Sequence, residues 1–277
     1  AASYGLLLVQ SNSNTTNLTG NITTTGDNAD GVYLLLSDSN TTNLTGNIST
    51  TGDFANGLFL GEKSDSNTTN LTGNITIAGD NAQGLFLDRS HSNTTNLTGN
   101  ITTTGDNARG LYLLNSDSNT TNLTGNITTT RGFAHGLYLR DSDSNTTNLT
   151  GNITTTGDNS YGLYLDTSDS NTTNLTGNIT TTGVGSRGVY VQDSTNNITT
   201  VTGDIVTSGT GGNAEPILLE NSDSNTFTLS GAVHSLGGDQ AIAVDATSQN
   251  NTFTFKRGVS FIGGLENNGG STNKLIF

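Results

Sequence analysis

Asn17-Leu18-Thr19-Gly20-Asn21-Ile22 returns with the same six residue types at Asn43, Asn70, Asn96, Asn122, Asn148 and Asn174. The steps are 26, 27, 26, 26, 26 and 26 residues, and the single longer step traces to an extra residue around Gly61-Glu62-Lys63. One full unit reads Gly110-Leu111-Tyr112-Leu113, then Ser116-Asp117-Ser118-Asn119-Thr120-Thr121-Asn122-Leu123-Thr124-Gly125-Asn126-Ile127. A fixed period of this length marks a repeat architecture, in which each unit buries its apolar face only against its neighbours.

The local spacing inside the unit is two. Leu18, Gly20, Ile22 and Thr24 alternate with Thr19, Asn21, Thr23 and Thr25, and Leu58 and Leu60 flank Phe59. Alternation is the signature of strands. The 3.6-residue apolar spacing of a helix is missing, and Thr, Asn and Gly are poor helix formers. Gly-Asp-Asn and Ser-Asp-Ser-Asn supply turn chemistry between the strands. The expected fold is therefore all-β: a single-domain parallel β-helix of about ten coils, each of about 26 residues. Residues 1–194 carry the regular repeat and residues 195–277 a degenerate continuation. Val201, Ile205, Leu229, Val233, Phe255 and Val259 echo the core positions, and Lys274-Leu275-Ile276-Phe277 reads as a last strand.

Three apolar columns follow from the alternation: the leucines from Leu18 to Leu175, the isoleucines from Ile22 to Ile179, and the residues from Val32 through Leu58 to Val189. Ile77 stands where other coils have the Thr24-type residue, which points that rank inward. The composition agrees with a thin core, since only 30% of residues are hydrophobic. A globule of that composition would be short of apolar surface, whereas stacked coils need only two or three apolar residues each.

Charge excludes one class of partner. The net charge is −14, from 23 acidic and 9 basic residues, and such a surface repels nucleic-acid backbones. Without cysteine there are no disulfides and no thiolate metal sites. No apolar run reaches the length of a membrane-spanning helix, so insertion of this segment is not expected. Ala1-Ala2-Ser3 suits a mature end left by signal peptidase. Neither terminus carries an amphipathic helix to close the stack, so a piece of a longer rod, or a subunit stacking end to end, is expected.

Stacked coils turn each repeat position into a ladder of about 4.8 Å spacing. Tyr33, Phe59, Phe86, Tyr112, Tyr138, Tyr164 and Tyr190 form an outward aromatic ladder. It either stiffens the rod or stacks on glycans or on a neighbouring rod. Thr23/Thr25, Thr102/Thr104, Thr128/Thr130, Thr154/Thr156 and Thr180/Thr182 form a Thr-x-Thr face. Such arrays resemble the ice-binding face of several antifreeze β-solenoids, although Thr is also a common exposed strand residue. The array is interrupted at Ala78 and continues as Ser49/Thr51. Asp27, Asp53, Asp80, Asp106 and Asp158 line one corner, and Asp38, Asp65, Asp117, Asp143 and Asp169 line another. They are read as Asx-type turns, with Ca²⁺ held between coils as the alternative cofactor. The nonapeptide Ca²⁺-solenoid pattern is absent.

Asn14, Asn17, Asn21, Asn40, Asn43 and Asn47 all match the glycosylation sequon. Bonded Asn ladders explain the same pattern, and carriers at every coil would crowd their glycans. Breaks in the ladders fall at His91 and at Arg131-Gly132-Phe133-Ala134-His135, which relieve charge repulsion or mark a local binding spot. Catalysis by a β-helix would need a non-repeating cluster of Asp, Lys, Arg or His on one face. His91, His135 and His234 are far apart, and no nucleophile elbow, zinc spacing or phosphate loop is found. No enzyme is expected.

The run Thr98-Gly99-Asn100-Ile101-Thr102-Thr103-Thr104-Gly105-Asp106-Asn107-Ala108-Arg109-Gly110-Leu111-Tyr112-Leu113 resembles the passenger regions of Gram-negative autotransporters and related adhesins. The resemblance extends over essentially the whole chain, including Asn251-Thr252-Phe253-Thr254-Phe255. It implies a right-handed β-helix displayed at the cell surface or secreted, often adhesive, with no catalytic residues to carry over. The sequence departs from that family in holding neither a translocator barrel nor a serine-protease head. The expected role is an extracellular structural or adhesive fibre or stalk, with itself or surface glycans as partners. Ice binding is the first alternative, and polysaccharide binding or degradation the second.

Overall fold

The computed structural model describes residues 3–210, 212–270 and 272–277, so Ala1-Ala2 of the suggested mature end lies outside the described residues. The first coil sets the pattern with three short strands, β1 (Leu6–Val9), β2 (Thr15–Thr19) and β3 (Ile22–Thr24). Each later coil repeats them, except that the last supplies only the first two, so that all strands fall into three parallel sheets of eleven, eleven and ten members. No helix occurs among the described residues. In each sheet a strand pairs with the equivalent strand one coil away, Leu97 with Leu123 and Ile101 with Ile127, for example. The register is therefore the repeat itself, and the architecture is a parallel β-solenoid of about ten coils.

The three apolar columns run down the interior. Leu123, Ile127 and Leu111 are 3%, 1% and 1% exposed, and the columns stay buried along the regular repeat except at Leu18 in the first coil, which is half-buried. Each such side chain contributes roughly 1.5–3 kcal/mol by leaving water. The Thr24 rank does point inward: Thr50 is fully buried, and its hydroxyl donates to the carbonyl of Ala55 at 2.6 Å. Ile77 takes the same place without a hydroxyl and is also fully buried.

Three corners close each coil; two of them, the corner between the first and second sheets (Asn115, Ser118) and the corner after the third (Asn107), use left-handed backbone at non-glycine residues. Asn115, Ser118 and Asn107 have φ of 48°, 59° and 53°, and their equivalents recur in coil after coil. The extra residue of the longer coil sits in one of these corners, where both Glu62 and Lys63 have positive φ. Between the second and third sheets the chain passes through Gly99 at φ +146°, and a Cβ there would lie 2.0 Å from the carbonyl oxygen of Gly73 one coil below. Glycine at this rank is what allows coils to approach at sheet spacing.

The sheets continue without a break past residue 194, through the last strand, Lys274–Ile276. One sequence assignment needs correction here. Leu229 pairs with Phe255 as expected, but Val233 pairs with Phe261 rather than occupying a column with Val259. The corner Lys256–Ser260 is two residues longer than its counterpart, so the next strand starts later. Val259 instead packs against the core from that turn.

Candidate functional site

Two buried polar ladders hold the corner between the first and second sheets. Asn119 accepts at Oδ1 from the Asn93 N–H at 2.8 Å and donates from Nδ2 to the Ser90 carbonyl at 3.0 Å. Its own N–H donates to Asn145 Oδ1 at 2.8 Å. The serines beside them do likewise, the Ser116 N–H donating to Ser142 Oγ at 3.0 Å. Both ranks are essentially unexposed. Buried polar groups favour pairing, and here each coil supplies the backbone N–H of its neighbour with an acceptor, although the Asn93 and Asn145 Nδ2 groups have no partner among the described residues.

Asn17, Asn43 and their equivalents to Asn174 form a third ladder on the outer face, Asn122 Nδ2 donating to Asn96 Oδ1 at 2.8 Å. A fourth passes through Asn21 and Asn47, whose N–H donates to Asn21 Oδ1 at 2.9 Å. The sequon residues therefore differ in kind. Asn14, Asn17, Asn21 and Asn47 are exposed and Asn43 is half-buried. Asn40 is 1% exposed, and its amide donates to the Ser11 carbonyl. As a glycosylation site Asn40 is a correction, because the folded chain leaves no room for a glycan on that nitrogen.

The acidic corners turn their carboxylates along the rod axis. The Asp106 N–H donates to Asp80 Oδ1 at 2.8 Å, and the Asp143 N–H donates to Asp117 Oδ1 at 2.8 Å. The acceptor for each N–H thus belongs to the neighbouring coil, not to the same turn. His91 fits the second ladder because its Nδ1 accepts from the Asp117 N–H at 2.9 Å, as a carboxylate oxygen would. Among the described residues no group of three or more His, Asp or Glu could hold a metal ion.

The aromatic ladder runs unbroken from Tyr33 through Phe59, Phe86, Tyr112, Tyr138 and Tyr164 to Tyr190. Ring centroids are 4.6–5.1 Å apart and planes lie within 10°. It faces away from the interior leucines, but the ring faces are spent on one another. The rank preceding the Gly-Leu-Tyr-Leu strand lies over it. The Arg109 guanidinium sits 4.6 Å from the Tyr112 centroid and 5.0 Å from that of Tyr138, and Arg187 sits 4.5 Å from that of Tyr190. Burial pushes the Arg109 guanidinium below its usual range, and its Nε has no partner among the described residues. His135 stacks on Tyr161 and meets Tyr138 and Tyr164 edge-on. The hydroxyls find partners at the far side, Tyr138 donating to Asp166 at 2.8 Å and Tyr190 to Glu220. Burial first, and then the Asp166 carboxylate, push the Tyr138 hydroxyl well up. Tyr112, Tyr138 and Tyr190 are buried, and Tyr33, Phe59, Phe86 and Tyr164 half-buried.

The Thr-x-Thr face behaves differently. Thr23, Ser49, Thr76, Thr102, Thr128, Thr154 and Thr180 form one in-register rank on the outside of the third sheet. Thr25, Thr104, Thr130, Thr156 and Thr182 follow just beyond the strand ends and are exposed. The Thr104 and Thr130 hydroxyls turn back toward the carbonyls of Ile77 and Thr103, at 3.3 and 3.4 Å.

Sequence reasoning missed two features. The covering rank of Arg109, His135, Tyr161 and Arg187 escaped because its residues differ from coil to coil while its position does not. The exposed Phe54 escaped because scattered substitutions in an Asn rank, there and at Phe133, look like drift.

The chain is thus a repetitive parallel β-solenoid whose outer surface is built of side-chain ladders. No family model matches it, and no curated protein does. Among solved structures it is similar to Vag8, a Bordetella autotransporter passenger, in the cryo-EM structure of the Vag8–C1 inhibitor complex. That match has 15% identity and a TM-score of 0.55, over 99% of this chain and 72% of that one. A fainter likeness, TM-score 0.40 at 12% identity, covers 95% of this chain and 88% of the A-module of Azotobacter vinelandii mannuronan C-5 epimerase AlgE4. The first likeness shows the fold alone, a repetitive parallel β-helix.

Proposed function

We propose that this chain is a structural segment of an extracellular fibre or stalk, serving to hold adhesive or display regions away from a surface rather than to catalyse a reaction. One observation carries the reading: the polar side chains of the corners are committed to hydrogen bonds between coils, from Ser11 and Asn14 to Asn251 and Asn273. Groups used that way stiffen a rod and leave no convergent cluster for chemistry. The likeness in fold to an autotransporter passenger supports secretion. Antibody raised against the purified chain should label intact, unpermeabilised cells of the source organism. Negative-stain images of the chain should show rods of roughly 50 Å for ten coils. Labelling only after permeabilisation would overturn the extracellular role, and flexible or compact particles would overturn the stalk.

A second reading, ice binding, is supported by the in-register Thr rank from Thr23 to Thr180. A thermal-hysteresis measurement decides it, since a solution of the chain that freezes like buffer removes the reading.

A further inference from the structure

The corner after the third sheet is occupied by Asn28, Phe54, Asn81, Asn107, Phe133 and Asn159 in successive coils, all with φ between 51° and 57°. Asn tolerates left-handed backbone, whereas a bulky side chain there is an outlier. The backbone makes the same bonds whichever residue is present. The N–H of Phe54 donates to the Asp80 carbonyl at 2.9 Å, that of Asn81 to the Asp106 carbonyl at 2.8 Å, and that of Phe133 to the Asp158 carbonyl at 3.0 Å. Both phenylalanines are 54% exposed. Each therefore strains the backbone and leaves more than half of an apolar ring in water, where the neighbouring coils use Asn.

The charges beside the two rings are opposite. One corner reads Gly52-Asp53-Phe54 and the other Arg131-Gly132-Phe133, with Asp53 and Arg131 both exposed. Three coils separate them, about 14 Å along the rod. This pattern is complementary to itself when reversed. A two-fold axis perpendicular to the rod, between the coils of Asn81 and Asn107, sets Phe54 against Phe133 of a second copy and Asp53 against its Arg131. The same pairs then form again on the other side, as an isologous contact requires. We propose that this edge is a self-association surface on which two copies of the chain pair side by side and antiparallel, anchored by Phe54 and Phe133 and keyed by Asp53 and Arg131. Between the anchors Asp80 of one copy faces Asp106 of the other, so the arrangement carries a like-charge contact at its centre.

Sedimentation of the purified chain over a range of concentrations tests the pairing. The wild-type chain is expected to form a reversible dimer. F54N and F133N install the residue of the neighbouring coils, so the urea midpoint should hold or rise while the association constant falls about 100-fold, roughly tenfold for each of the two copies of the lost ring. D53R or R131D alone should weaken the dimer, and the two together should restore it. D80N with D106N should tighten it. A wild-type chain that stays monomeric at all concentrations overturns the proposal, and so does a dimer indifferent to F54N. A dimer that needs the rings but is not restored by the double charge exchange overturns the antiparallel register. None of these outcomes changes the shape of the single rod, so the proposal stands or falls apart from the stalk function.

Discussion

Asn119 and Asn122 lie three residues apart, carry the same amide and sit in ladders of the same spacing, yet their replacement by alanine should differ severalfold. Removing the Asn119 side chain leaves the buried Asn93 N–H without its acceptor and the Ser90 carbonyl without its donor. Each unsatisfied buried group costs about 1–3 kcal/mol, which sets the loss for Asn119→Ala at about 2–6 kcal/mol. Asn122 bonds Asn96 and Asn148 through side chains only, both at 2.8 Å, on the outer face. Water replaces those partners, and Asn122→Ala should cost under about 1 kcal/mol. Against a total of about 5–15 kcal/mol for an ordinary domain, the first change is severe and the second is nearly silent. Urea unfolding followed by tyrosine fluorescence reads the difference. Hydrogen exchange at the Asn93 amide gives a local readout and should accelerate only in Asn119→Ala. Equal midpoints for the two variants, or continued protection of the Asn93 amide, would refute the claim that the buried ladder holds the coils.

Other consequences follow from single groups. Asp30 is buried against Asn56, and desolvation pushes its carboxyl up to about 6. A raised carboxyl pKa stabilises the fold when protonated, and that stability is lost as pH rises from about 4 through 6. D30N should therefore stabilise the chain by up to about 3 kcal/mol at neutral pH and leave it unchanged below about pH 4, read as the urea midpoint at each pH. His135 has the opposite sign. Burial first, and then the nearby Arg109, hold its imidazole well below its usual range. Only the unfolded chain takes up that proton as pH falls below about 6.5, so stability drops there. H135Q should flatten the drop, because a Gln at this rank keeps the ladder bond, as Gln83 does in accepting from the Arg109 N–H at 2.7 Å. Gly99→Ala should cost about 3 kcal/mol or more in thermal unfolding, since the new methyl meets the Gly73 carbonyl at 2.0 Å. Gly20→Ala, at φ +135° with nothing within 4 Å, should cost only the strain of about 1–2 kcal/mol.

The parts of the fold legible in the sequence are those where chemistry and direction coincide. Leu97 and Ile101 are apolar, alternate with polar neighbours and recur at a fixed step, so their inward direction could be read without coordinates. Ile77 extended the reading to Thr103, a polar residue, because one apolar exception reveals the side of the whole rank. No such exception marks Asn40. It shares the Asn-x-Thr/Ser pattern with Asn43 and Asn47, and only the left-handed turn at Ser39 sends its side chain inward. The aromatic ladder shows the same division. Its outward direction was legible from Leu58, Phe59 and Leu60, whereas its cover depends on corner geometry that places Arg109 and Arg187 over the rings. Val259 was misplaced for a related reason, since a corner two residues longer leaves the composition of the next strand unchanged while shifting its start.

The regular and degenerate regions build the same three sheets with partly different side chains. Up to Asn174 the outer face of the second sheet is an Asn ladder, and the inward rank beside it is Thr, as at Thr95 and Thr121. Beyond it the outer rank becomes Thr200, Thr228 and Thr254, and the inward Thr199 is followed by Phe227 and Phe253. These two rings stack at 4.8 Å and are 1% and 0% exposed. The outer Asn ladder needs an amide at every step and ends at Asn174, whereas the buried corner ladders continue past it, the Asn197 N–H donating to Asn225 Oδ1 at 2.9 Å and the Asn225 N–H to Asn251 Oδ1 at 2.8 Å. Phe227 and Phe253 fill the interior of the second sheet where the regular coils have Thr. The loss of sequence regularity after residue 194 thus follows the end of the outer Asn ladder and a change in the interior of the second sheet, while the buried Ser and Asn corner ladders go on joining coil to coil as far as Ser248 and Asn273.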